Sequence, residues 1–415
     1  MQSFVLLLPL LLLALAGRPA QQDTLGALAA PYDYNLVRYE VSALTEKLSF
    51  RLLASLRGDI PDERRGRESA VRFFQLRGDA NRAHRELDAA VALRRAPEDI
   101  APIEARLAAL ERQIEAVRPQ VEYVLERDLR QTLVEQGLGG SFLGTRALFP
   151  PVQVHFASLP NVLIVSPRDR IQLKRTFLLD DSLSLAQMEQ MEAQVARENL
   201  SGLVERVGGL ATYPAIIPDS ARLDSTLTTS AHEWMHHFLA FHPLGRAYWS
   251  NETMTTLNET VADTVGGEIG REVLRAYAPR PAQPPAPTQQ DGASAAPRER
   301  DVFSFSREMR ATRLQADTLL AQGKVDDAER YMEQRRQFLA EHGYYIRKLN
   351  QAYFAFHGTY ADSAASASPI GGPPIGAQLA AVRARSASLA DFLRTMASVG
   401  SVDDYNRLLI RMRVQ

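Results

Sequence analysis

The chain reads as an α+β protein, predominantly helical, in which a small sheet and a two-helix metal site are flanked by helical hairpins. Three observations predict this. Apolar residues recur at helical spacing over residues 34–135 and again beyond residue 300, while short β-prone runs broken by prolines are confined to residues 152–217. Directly after those runs, a helical segment carries two histidines four positions apart. The order of these blocks divides the chain into a helical arm at 34–138, a central block at 141–278, a Pro/Ala-rich linker at 279–299 and a helical C-terminal block at 300–415.

The first element is the apolar run from Phe4 to Ala16, which ends in Ala14-Leu15-Ala16. It is short for a membrane span and has the length of a secretory signal, so residues 1–16 read as a signal peptide and the mature chain starts near Gly17. No Lys or Arg precedes the run, which leaves retention as a membrane anchor as the alternative. The chain has no cysteine. An exported protein of roughly 395 mature residues buries enough core without disulfides, which fits a bacterial envelope or extracellular location. The formal net charge of −1, with acids and bases interspersed, implies neither a nucleic acid nor an anionic membrane as a partner of the whole surface.

In the arm, Ile103, Leu107, Leu110, Ile114, Val117, Val121 and Val124 follow an alternating four-three spacing, the seam of a coiled coil. Residues 62–94 carry Val71, Phe74, Leu87 and Val91 and join the seam through a loop holding Pro97, which predicts an antiparallel helical hairpin with a kink at Pro119. Such a seam has no chemistry of its own and offers a surface for a protein partner. Gly139-Gly140 closes the arm. Strands are predicted at 152–156, 161–166 and 171–178, then a helix at 184–199 and a last strand at 210–217. Pro214 confines that last strand to an edge or a bulge, and at an edge an extended substrate can be held by strand addition.

The next helix, Thr228 to Phe241, carries the chemistry. Thr228, Thr229 and Ser230 offer capping oxygens, Trp234, Phe238 and Leu239 an apolar side, and His242-Pro243-Leu244-Gly245 a stop. Within it, His232-Glu233-Trp234-Met235-His236 puts both histidines on one face, where they can grip one Zn²⁺, and Glu233 beside the ion as the catalytic general base toward water. A catalytic zinc needs a third protein ligand and an open position. His242 is one candidate, at the spacing of the metzincin pattern His-Glu-x-x-His-x-x-Gly-x-x-His, but Leu239 stands where that pattern needs the glycine that breaks the helix. Without the break, His242 and its neighbour His237 read as helix-end or pocket-wall residues. Glu259 is the other candidate, in Asn258-Glu259-Thr260-Val261-Ala262-Asp263. An earlier copy of its tripeptide, Asn251-Glu252-Thr253, reads as a helix start, with Glu252 the weaker ligand.

This second segment resembles the Asn-Glu-x-x-Ser-Asp helix of the gluzincins, the thermolysin-like zinc metallopeptidases, departing only at Ala262. The resemblance covers residues 228–267. It implies a zincin-like catalytic core, one Zn²⁺ per chain held by His232, His236 and Glu259, and Asp263 as the residue that orients His232. It also implies an oxyanion-binding His or Tyr from the C-terminal part of the chain, for which His357 and Tyr360, in the aromatic stretch 350–360, are the catalytic candidates. Gly266 and Gly267 would let the two metal-site helices approach closely. The Gly-x-Met-Glu-Asn element of gluzincin aminopeptidases is absent, so the implied activity is endopeptidase cleavage of a peptide or protein substrate. The alternative of another class is a non-catalytic envelope scaffold with a structural or inactive zinc site.

Beyond the Pro/Ala-rich linker, helices are predicted at 304–321, 325–342, 377–396 and 402–412, the first two resembling one tetratricopeptide-style hairpin.

Overall fold

The computed structural model describes residues 23–92, 96–142, 145–207, 210–218, 222–277, 305–357 and 375–414. The apolar run at 4–16, the linker at 279–299 and Tyr360 lie outside the described residues. The fold is predominantly helical with small sheets, as the periodicities predict.

Helix α1 (Thr24–Ala29) starts at Asp23, whose carboxylate accepts the Gly26 N–H at 2.8 Å, and α2 (Leu36–Arg57) starts at Asn35, which caps the Arg38 N–H in the same way. The arm is α3 (Glu63–Ala92) and α4 (Pro97–Glu135), with Pro97 in the first turn of α4, where its missing N–H costs nothing. Ile103, Ile114, Val121 and Val124 are buried and Leu107, Leu110 and Val117 partly so, as the seam predicts, and α4 runs on through Pro119 as one helix. The arm does not stand free. Leu125, Leu129 and Leu133 of α4 share one core with Phe73 of α3, with Trp234 and Met254 around the metal-site segments, and with Leu379 and Phe392 near the C-terminus.

The strands are β1 (Gly140–Phe142), β2 (Thr145–Ala147), β3 (Val154–Ala157), β4 (Asn161–Pro167) and β5 (Arg175–Leu179), followed by α5 (Leu185–Arg197), β6 (Leu200–Arg206) and β7 (Ala215–Pro218). β1 and β2 form an antiparallel pair, β3 and β7 a parallel pair, and β5-β4-β6 an antiparallel sheet of three. β6 is not legible from alternation, because Gly202 interrupts its apolar run. That glycine is where α5 lies on the sheet, since a Cβ there would sit 2.9 Å from Val195 Cβ.

The strand expected at 210–217 is β7, shorter than expected and paired with β3 alone, so it lies at a sheet edge, but that edge is not open to strand addition. The N–H and C=O of Ile216 are both taken by Leu210, at 3.0 and 3.2 Å, and the outer N–H groups of β3 at Val154 and Phe156 donate to Glu126 and Glu122 of α4, each at 2.8 Å. Lys47 of α2 lies 2.8 Å from Glu122 and 2.7 Å from Glu126, so one buried ionic group ties α2 and β3 to α4. Burial pushes the Glu122 carboxyl up, but Lys47 and His155 outweigh it and bring it down to about 2.

Next come α6 (Leu223–Leu239), a single turn α7 (Pro243–Arg246) and α8 (Glu252–Arg275). α6 and α8 pack closely at Gly266 and Gly270. A Cβ at Gly270 would meet Thr228 Oγ1 at 2.6 Å and its Cα at 2.8 Å, and one at Gly266 would meet the Thr228 carbonyl oxygen at 3.0 Å. Gly267 faces Arg271 instead, so the close approach expected of Gly266 and Gly267 belongs to the pair one turn apart.

The C-terminal block contains α9 (Phe305–Ala321), α10 (Val325–Glu341), α11 (Gln351–His357), α12 (Ile375–Arg385), α13 (Leu389–Ala397) and α14 (Val402–Met412). α9 and α10 bury Met309, Ala316, Ala328, Met332 and Leu339 between them. The single helix expected at 377–396 is two, because Ser388 adopts extended backbone and its hydroxyl caps α13 through the Asp391 N–H.

Candidate metal centre

α6 begins at Leu223, earlier than the sequence suggests, and Ser225 Oγ closes its first turn by accepting the Arg222 N–H at 3.1 Å. Thr228, Thr229 and Ser230, expected as caps, lie inside the helix. The longer helix still places His232 and His236 one turn apart on one face, with their Nε2 atoms 3.0 Å apart. Glu259 of α8 brings its Oε2 to 3.5 Å from each.

The chemistry of this cluster follows from the partners of the other ring nitrogens. His232 Nδ1 lies 2.9 Å from Asp263 Oδ1 and His236 Nδ1 2.9 Å from Asn258 Oδ1, both acceptors, so each Nδ1 carries the proton. Both Nε2 atoms therefore present lone pairs to each other, and Glu259 Oε2, buried with no hydrogen-bond partner, joins them. Three electron-rich atoms converge on one point, an arrangement that a cation relieves. A tetrahedral zinc with ligand distances of about 2.05 Å holds its ligands about 3.3 Å apart. The observed separations of 3.0, 3.5 and 3.5 Å bracket that value, so the residues present fit the ion. Among the described residues, this is the group of three placed to hold a metal.

The electrostatics agree. Burial lowers the pKa of both histidines, yet Asp263, Glu259 and Glu233 around His232, and Glu259 and Glu233 around His236, outweigh it and raise both, so the carboxylates give the site a negative potential that favours a cation. Burial pushes Glu259 up, and the two histidines outweigh it and hold it far below the ordinary carboxylate range. Glu233 is the opposite case. Its burial outweighs the pull of His232 and His236, and its pKa is raised, as suits a group that gives a proton back after taking it.

Two partners escape sequence reasoning. Asn258, quoted in the motif without a role, fixes the tautomer of His236. Tyr248, between α7 and α8, donates its hydroxyl to Glu259 Oε1 and stands edge-on to His236 with ring centroids 6.2 Å apart. Thr255 Oγ1 in turn donates to the Tyr248 carbonyl, tying the tyrosine to α8. No spacing rule finds Tyr248, because the turn that carries it has no fixed period. Removing its hydroxyl leaves Glu259 free to swing, so Tyr248→Phe is expected to weaken zinc binding about 10- to 100-fold in a competitive chelator titration while the fold persists.

The other candidates are placed elsewhere. His242 starts α7, donates from Nδ1 to the Phe238 carbonyl at 2.9 Å and stacks on the Phe238 ring, so the metzincin alternative is not met by its position. His237 is buried behind the site, where its Nε2 lies 2.8 Å from the Thr212 carbonyl oxygen and burial lowers its pKa to about 4. Asn251 caps α8 by accepting the Met254 N–H, which makes its tripeptide a helix start; the Glu252 side chain lies outside the described residues. His357 ends α11 and lies 2.9 Å from Glu205 of β6, a partner outside the metal cluster. The structure thus brings together His232, Glu233, His236, Glu259 and Asp263, and does not bring His357 to them.

Comparison with known proteins finds no family model, no curated relative and no solved structure that matches this chain.

Proposed function

We propose that this chain is a zinc-dependent metallopeptidase of the gluzincin kind, with a zincin-like core built on α6 and α8, acting on peptide bonds in the bacterial envelope or outside the cell. The observation that carries the reading is the convergence of His232 Nε2, His236 Nε2 and Glu259 Oε2 at tetrahedral separations. Zinc held there would lower the pKa of water and polarise a substrate carbonyl. The chain's own residues do the rest. Asp263 and Asn258 hold the two imidazoles in the tautomer that presents Nε2, and Tyr248 holds the Glu259 carboxylate in place. Glu233 accepts the proton of the attacking water at its carboxylate and passes it to the leaving amine. Endopeptidase action is the expected form, in the absence of the free-amine recognition element of the gluzincin aminopeptidases.

The test is a quenched fluorogenic peptide library. Cleavage is expected, lost on chelation and restored by zinc. An inert zinc-loaded chain would leave the scaffold reading, with the metal serving structure alone.

A further inference from the structure

The chain has two tryptophans, and they sit in opposite surroundings. Trp234 of α6 is 1% exposed and donates its Nε1 hydrogen to the Pro150 carbonyl at 2.8 Å. Trp249, in the turn between α7 and α8, is 76% exposed. An indole is highly buried on average, so a tryptophan left in water forgoes a large gain from burial. Exposed apolar residues that stand singly are ordinary, and position decides what this one is for.

That position is beside the metal centre. Trp249 directly follows Tyr248, whose hydroxyl holds the Glu259 carboxylate. Its ring stands edge-on to the Tyr248 ring with centroids 4.6 Å apart, and the Tyr248 ring stands edge-on to His236 at 6.2 Å. These two separations put the indole no farther than about 11 Å from the His236 imidazole, the length of about three residues of extended chain. His232, His236 and Tyr248 are each partly open to solvent, so reachable groups follow one another from the histidines to Trp249. The turn is also held in shape. The Tyr248 N–H donates to the Gly245 carbonyl at 3.1 Å, the Ser250 N–H donates to the Ala247 carbonyl at 3.0 Å, and Thr255 Oγ1 donates to the Tyr248 carbonyl. Trp249 is thus an aromatic side chain fixed by its neighbours on both sides, and among the described residues no ring but that of Tyr248 lies against it.

Resting on the peptidase reading for the nature of the ligand, we infer that Trp249 binds substrate at the metal centre, as a fixed apolar wall for a large apolar or aromatic side chain of the peptide within about three residues of the bond held at the metal. Such a side chain gains by covering the indole, because both surfaces leave water. A lysine gains less, since a ring attracts a cation only weakly where water reaches both.

Acrylamide quenching of tryptophan emission reads this site directly, because the quencher reaches Trp249 and not Trp234. The Trp249→Ala chain, which loses little buried area, supplies the blank. The zinc-loaded Glu233→Gln chain is mixed with short soluble peptides of Ala, Ser and Gly that carry Phe, Leu, Lys or none of these at their middle positions. The Phe and Leu peptides are expected to shield Trp249 at concentrations several-fold lower than the Lys and plain peptides, and chelation is expected to weaken the shielding, because the same peptide also meets the metal. In turnover, Trp249→Ala is expected to raise KM for the Phe peptide several-fold more than for the plain one, with kcat changing less than KM. No shielding, equal shielding by all the peptides, or shielding that chelation leaves unchanged would overturn the inference. Zinc-dependent shielding with no cleavage by the wild-type chain would contradict the peptidase reading and support Trp249 as a peptide-binding residue. Cleavage without shielding would contradict the role of Trp249 alone.

Discussion

Glu233→Gln is expected to keep one zinc per chain and to lower kcat/KM on peptides by about 10³-fold. The substitution is isosteric, and Glu233 is not one of the three converging ligand atoms, so the metal set is left intact. What disappears is the carboxylate that takes the proton in the proposed mechanism, a role the other two described carboxylates of the cluster do not offer: Glu259 is bound to Tyr248 and aimed at the ion position, and Asp263 is bound to His232. The loss belongs in kcat more than in KM, because the proton moves in the transition state. Zinc content and steady-state kinetics of the same preparation check it, and full activity in the variant would sink the assignment of Glu233.

The second large effect concerns the metal itself. Glu259→Ala removes one of three ligands and is expected to abolish stoichiometric zinc, with an affinity loss beyond the roughly 100-fold that outer partners cost. His242→Ala is expected to keep zinc, because His242 is engaged with Phe238 at the helix end. Elemental analysis of both variants after loading and dialysis separates the two. Zinc lost with His242 and kept without Glu259 would return the third ligand to the loop.

Much of the centre was legible because its parts obey a local rule. His232 and His236, and Glu259 and Asp263, are each four apart, and in any helix that spacing puts the members of a pair on one face. Bringing the two pairs together needed only a turn at Pro243 and a close helix contact. One of the two glycines at the contact differs from the expected pair, since Gly266 and Gly270 share a face and Gly267 does not. Tyr248 was invisible because it acts from an irregular turn, and β6 because Gly202 trades alternation for the packing of α5. The seam residues of the arm were correctly seen as apolar, but periodicity cannot tell a free hairpin from one whose far half lies in the main core, as Leu125, Leu129 and Leu133 do.

The measurement that bears most directly on the metal centre is anomalous diffraction at the zinc edge from crystals of the zinc-loaded chain. A single peak is expected, about 2.0 to 2.2 Å from His232 Nε2, His236 Nε2 and a Glu259 carboxylate oxygen, with Asp263 and Asn258 on the opposite ring nitrogens. No peak between α6 and α8, or a peak ligated by His242 in place of Glu259, would contradict it.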